Sequence, residues 1–86
     1  MDQEPLDIWR INSGADFGRA VREARRGRGW TQDELAQRAN VGRMTVSRLE
    51  RGVDVSYATA ARCVSELGFV LVMAPKAAVV TAREVA

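Results

Sequence analysis

A chain of 86 residues makes one small domain with a modest core, a size that often gains stability by oligomerising. It has no histidine, which excludes His-based metal and acid–base sites, and a single cysteine, Cys63, which excludes an internal disulfide framework and fits a reducing cytoplasm. No apolar run is long enough to span a membrane, and the acidic N-terminus lacks the basic-then-apolar order of a secretory leader.

The net charge of +2 is mild, but it is unevenly spread. Residues 1–16 hold four acids and one arginine, residues 17–52 nine arginines against four acids, and residues 53–86 three of each sign. The positive field therefore lies in the middle segment and is entirely arginine, whose planar fork matches phosphates and guanine edges. A solvated surface rich in arginine would look the same on charge alone.

Residues 1–15 read as an arm in which Pro5 and Gly14 oppose helix, while Ile8, Trp9 and Ile11 are apolar. The arm either lies extended on the domain or pairs through "IWRI" as a short strand. A first helix is predicted from about Asp16 to Arg26, with Phe17, Ala20, Val21 and Ala24 as its apolar stripe and Arg19, Arg22 and Arg26 off it. Gly27 and Gly29 stop it. In "WTQDELAQRAN", Thr31 and Glu34 form a capping box, and Leu35, Ala36 and Ala39 face inward on a second helix. Asn40 suits a left-handed helix end.

A third helix runs from about Gly42 to Arg51 and stops at Gly52, and a fourth runs from Ser56 as N-cap to Leu67. Tyr57, Ala60, Ala61, Val64 and Leu67 form the core stripe of the fourth, with Cys63 on or beside it as a small packing residue. "FVLVMA", residues 69–74, is apolar and β-prone and is closed by Pro75, so a strand is predicted over 69–75. A lone strand must pair its N–H and C=O groups, with the arm or with its own copy in a second chain. The second solution is favoured because it also buries alternate members of Phe69, Val70, Leu71, Val72 and Met73. Residues 76–86 read as a flexible tail.

At 100° per residue, Gly42, Thr45, Val46 and Leu49 gather on one side of the third helix. Met44, Ser47 and Arg51 gather opposite, flanked by Arg43 and Arg48. A small inner face seats the helix on a neighbour. The outer face suits a DNA major groove: arginine can fork onto guanine, Ser47 can reach base or phosphate, and Met44 can touch a thymine methyl. The start of the second helix offers Thr31, Gln32 and free N–H groups to phosphate. A capped helix, a tight turn and a basic helix make a helix-turn-helix. No feature favours an enzyme. Acid pairs at catalytic spacing and nucleophiles with a candidate base are missing, and "GRG" at 27–29 is a helix stop rather than a phosphate cradle.

"WTQDELAQRANVGRMTVSRLERG", residues 30–52, resembles the helix-turn-helix of the Xre (lambda-repressor-like) family, and the likeness extends over residues 16–67. The resemblance implies that Arg43, Met44, Ser47 and Arg48 lie at the bases. It also implies that Gln32 holds phosphate and that Arg25 pairs with Glu50 as a structural ion pair; Thr31 and Arg51 are expected to hold phosphate beside Gln32. Attraction of Arg25 to DNA is the rival reading. Glutamine is common in the family near Arg43, so base preference does not transfer. "LGFVLVMAPK", residues 67–76, resembles HipB-type antitoxins, in which a strand after the fourth helix pairs across a dimer.

The resemblance thus implies a mainly α, four-to-five-helix lambda-repressor-like domain at 16–68, with a short C-terminal strand pairing across a dimer. It implies a cytoplasmic, nucleoid-associated homodimer that binds a near-palindromic operator, represses its own operon and neutralises a HipA-type kinase toxin. No cofactor or metal is expected. A stand-alone regulator without a toxin is the alternative.

Overall fold

The computed structural model describes residues 8–77 and the backbone of Arg83–Glu84. The expectations for residues 1–7, and for most of the tail beyond 77, lie outside the described residues. Four helices form the body: α1 (Gly14–Gly27), α2 (Gln32–Ala39), α3 (Arg43–Glu50) and α4 (Tyr57–Glu66). A two-residue strand, β1 (Trp9–Arg10), pairs in parallel with β2 (Arg83–Glu84), Trp9 opposite Arg83 and Arg10 opposite Glu84.

Local chemistry sets the helix starts. Thr31 and Glu34 form the expected box: the Thr31 Oγ1 accepts from the Glu34 N–H at 3.1 Å, and Glu34 Oε1 accepts from the Thr31 N–H at 2.8 Å. Ser56 caps α4 through the Thr59 N–H. Helix α1 begins two residues before the predicted Asp16, because Ser13 accepts the Asp16 N–H at 3.1 Å while Asp16 accepts the Asn12 N–H. The S-x-x-D spacing carried that signal.

Each helix ends on the same closure. An N–H one residue past a left-handed position bonds five residues back: Trp30 to Arg25, Val41 to Ala36, Val53 to Arg48 and Phe69 to Val64. The left-handed residue is glycine at 29, 52 and 68. At the α2–α3 turn it is Asn40, at φ 56°, as its side chain allows.

The core joins Val21 of α1, Leu35, Ala36 and Ala39 of α2, Val46 and Leu49 of α3, and Ala60, Cys63 and Val64 of α4 with Leu67. Phe17, Ala24, Trp30, Val41, Val55 and Phe69 pack around it. Two expectations about the helix faces need correction. Tyr57, assigned to the core stripe, is 72% exposed, because it opens α4 beyond the edge of the core. Gly42 is exposed at the N-cap of α3 rather than on its inner face.

Residues 69–75 form no ladder with any of the described residues. Phe69 turns onto its own core, Leu71 is 41% exposed, and Val70 and Val72 are 79% and 78% exposed. Met73, on the same side as Leu71, is 98% exposed, so the in-and-out alternation stops at Leu71. The arm pairs instead with Arg83–Glu84, which had been expected in the flexible tail.

Candidate nucleic-acid interface

Helix α3 is held from behind by Val46 and Leu49, both almost fully buried. That contact turns Arg43, Met44, Arg48 and Arg51 outward as exposed side chains, with Ser47 half-buried among them. The guanidinium groups of Arg43, Arg48 and Arg51 make no hydrogen bond or ion pair among the described residues. A cationic face without internal partners keeps its full donor capacity for an outside acceptor.

The other arginines of the middle segment are mostly committed. Arg19 donates to Asp16 at 2.6 Å. Arg28 donates from Nε to the Leu67 carbonyl at 3.2 Å and lies over the Trp30 ring, 5.2 Å from its centre. Arg38 covers the same indole at 4.2 Å. Arg26 is exposed and Arg22 half-buried. The long-range attraction expected of Arg19, Arg22, Arg26 and Arg28 is therefore reduced at Arg19, whose charge Asp16 offsets, while Arg28 contacts neutral groups and keeps its charge. The double stacking on Trp30 escaped sequence reading. Its signal was an arginine on each side of Trp30, at positions 28 and 38.

Arg25 and Glu50 come together as expected, and both are buried. Arg25 Nε donates to Glu50 Oε2 at 2.6 Å and a terminal nitrogen to Oε1 at 3.0 Å, while its other terminal nitrogen reaches the Trp30 carbonyl at 2.7 Å. Gln32, half-buried at the first position of α2, donates from Nε2 to Glu50 Oε1 at 3.0 Å. Thr31 is exposed beside it, its oxygen engaged by the Glu34 N–H. The capping box uses the Thr31 and Glu34 N–H groups and leaves those of Gln32 and Asp33 at the helix mouth.

Other chemistry is absent from this face. Burial pushes the Cys63 thiol up and away from thiolate reactivity. No cluster of metal-ligating side chains occurs among the described residues, and none of their helices is long and apolar enough to cross a membrane. An open groove of about 570 Å³ lies elsewhere, between the arm and the ends of α1 and α4, with Trp9, Ala24, Leu67 and Phe69 among its walls.

The buried pair of short helices and the outward basic face of the second define a helix-turn-helix protein. The chain belongs to the Xre-like helix-turn-helix family, which it matches over residues 21–70.

Among solved structures it is similar to ClgR, the clp gene regulator of Corynebacterium glutamicum, with 34% identity and a TM-score of 0.61 over 66% of this chain. The chain spans 62% of the ClgR chain. It is also similar to C.AhdI, a restriction-modification controller protein from Aeromonas hydrophila, with 30% identity and a TM-score of 0.62 over 65% of this chain and 86% of that one. A chain of the HipA–HipB–O2–O3 complex shares the fold at 24% identity, with a TM-score of 0.73 over 80% of this chain and 99% of that one. The search of curated proteins returned no match.

Proposed function

We propose that the protein is a homodimeric repressor that reads a near-palindromic operator with two copies of α3. The outward face of Arg43, Met44, Arg48 and Arg51 with half-buried Ser47, whose arginines have no partner among the described residues, is the observation that carries this reading. Arg43, Met44, Ser47 and Arg48 read base edges, and Thr31, Gln32 and Arg51 hold phosphates. Two recognition helices enter successive major grooves about 34 Å apart. The exposed run at 70–73 pairs with its copy in the second subunit, with Phe69 anchoring it to the core.

The finer role we infer is that of an antitoxin: the protein represses its own operon and holds a HipA-type kinase inactive in the cytoplasm. Its support is the fold shared with a chain of the HipA–HipB–O2–O3 complex over 80% of this chain. A stand-alone regulator is the second reading, favoured by the higher identity to ClgR and C.AhdI.

One experiment separates the two readings. A tagged copy is recovered from its host, co-purifying proteins are identified by mass spectrometry, and the same sample is tested on DNA upstream of its gene. A kinase in comparable amount supports the antitoxin. Operator binding with no specific protein partner leaves the stand-alone regulator. Loss of both sinks the repressor reading.

A further inference from the structure

We propose that the buried Arg25–Glu50 pair is a positioning device that sets the start of α2 against a DNA phosphate, at a fixed offset from the base-reading face of α3. The proposal rests on the DNA-binding reading above and deepens it, because it gives two core residues a part in DNA recognition.

A buried ion pair is poor value for stability. Its desolvation cost roughly cancels its attraction, and apolar replacements of similar size are often neutral or stabilising. The geometry here shows a different use. Arg25 spends one terminal nitrogen on the Trp30 carbonyl, the peptide directly before the N-cap Thr31. Its other two donors lock Glu50. Glu50 Oε1 then accepts a third bond, from Gln32 Nε2 at 3.0 Å. The mouth of α2 is thus gripped twice, through backbone by α1 and through a side chain by α3.

The orientation of the Gln32 amide follows from chemistry. A carboxylate only accepts, so the nitrogen of the amide must face Glu50. One amide proton is committed there, and the second remains for an acceptor beyond the helix mouth, next to the N–H groups of Gln32 and Asp33. Glu50 sits at the last position of α3, the helix that carries Arg43 and Arg48. A single carboxylate therefore ties the phosphate-facing amide to the base-facing helix. Such preorganisation removes ordering cost at the moment of binding. Arg25 and Glu50 act through Gln32 and Trp30 and touch no DNA themselves.

The test has two parts. The first uses the free protein: ¹⁵N relaxation of side-chain amides compares Gln32 with Gln37 on the outer face of α2. A Gln32 amide as rigid as the backbone, with an order parameter of about 0.85, is expected, and one below about 0.6 overturns the proposal. The second uses operator duplexes carrying one neutral methylphosphonate at successive phosphates. The wild-type protein should lose about tenfold in affinity at the phosphate facing α2, an effect in the range of one charge-assisted hydrogen bond. Gln32→Met should erase the loss at that phosphate only, with an unchanged melting temperature. Arg25→Met with Glu50→Leu should stay folded and erase it too, leaving the penalties at other phosphates intact.

A double variant that keeps the full penalty at that phosphate overturns the proposal. Where the double variant fails to fold, Gln32→Met decides: a lower melting temperature with an unchanged phosphate scan makes Gln32 a structural brace and overturns it. Failure of the wild-type protein to bind any duplex removes the DNA-binding reading and the proposal with it, and is recognised before any variant is made.

Discussion

Gly18 of α1 and Glu50 of α3 meet backbone to backbone: a Cβ at Gly18 would collide with the Glu50 carbonyl oxygen and stand 2.7 Å from that of Leu49. This contact seats α1 flat against the end of α3, beneath the Arg25–Glu50 pair. Glycine costs a helix interior about 1 kcal/mol relative to alanine, so Gly18→Ala gains that much in propensity. The clash is with backbone, which cannot swing aside, and overpacking of this kind costs roughly 1–3 kcal/mol. We expect Gly18→Ala to lower the urea midpoint despite the better helix former. An unchanged or higher midpoint would mean that the helices are not this close.

Arg43 and Arg51 should differ in how they fail. Arg43→Ala should cost roughly 1–3 kcal/mol on the operator and relax preference at one base position. Arg51→Ala should weaken all duplexes about equally and reduce the slope of log affinity against log salt by about 1. Anisotropy titrations on operator variants, repeated over a salt series, separate the two. Intact affinity and preference in Arg43→Ala would place the recognition surface elsewhere than α3.

The capping box makes one carboxylate sensitive to acid. The Thr31 backbone N–H bonds to Glu34 and holds its carboxyl below the usual range. The folded value lies under the unfolded one, about 4.3, so between them the unfolded chain binds more protons. The stabilisation is complete above about pH 4.3 and is lost as pH falls through the depressed folded value. Glu34→Gln, which still accepts the bond but does not titrate, should flatten this part of the profile. Urea midpoints between pH 3 and pH 6 for both proteins measure it, and parallel profiles would remove Glu34 as the cause.

Leu71→Pro probes association without touching the core, since Leu71 lies outside the buried cluster. Proline removes one pairing N–H from the run at 70–73. Sedimentation velocity should show the variant as monomer at concentrations where the parent chain is dimeric, with unchanged helical circular dichroism. A variant that stays a tight dimer moves the interface to another surface.

The parts of this fold that were legible in the sequence are those governed by neighbours. Thr31 with Glu34, Asn40 at the turn, Ser56 and the closing glycines each state a helix end within four or five residues, and the structure follows them. Tyr57 was misread because periodicity says which side of a helix is apolar and not where the core beneath it stops. The bond from Arg28 to Leu67 spans 39 residues, and the pairing of Trp9 with Arg83 spans more; no local pattern announces either. The burial of Glu50 opposes its own chemistry, and only resemblance to a family pointed to it. Of the proposed DNA face, periodicity supplied the outward set on α3. The tether from Gln32 to Glu50 needed coordinates, because it depends on how α2 sits on α3.

The run from Phe69 to Pro75 carries no charge, and in the single chain most of it lies open to water. Short, β-prone, uncharged segments of this kind template one another into ladders without limit when nothing caps them. Pro75 and Lys76 stand at its far edge as the only breaks, a proline and a charge of the type that interrupts stacking. Under the proposed dimer, a free subunit stands between two ends, closed pairing with one partner strand or open-ended aggregation. Solubility at high expression should depend on that short run more than on the stability of the four helices.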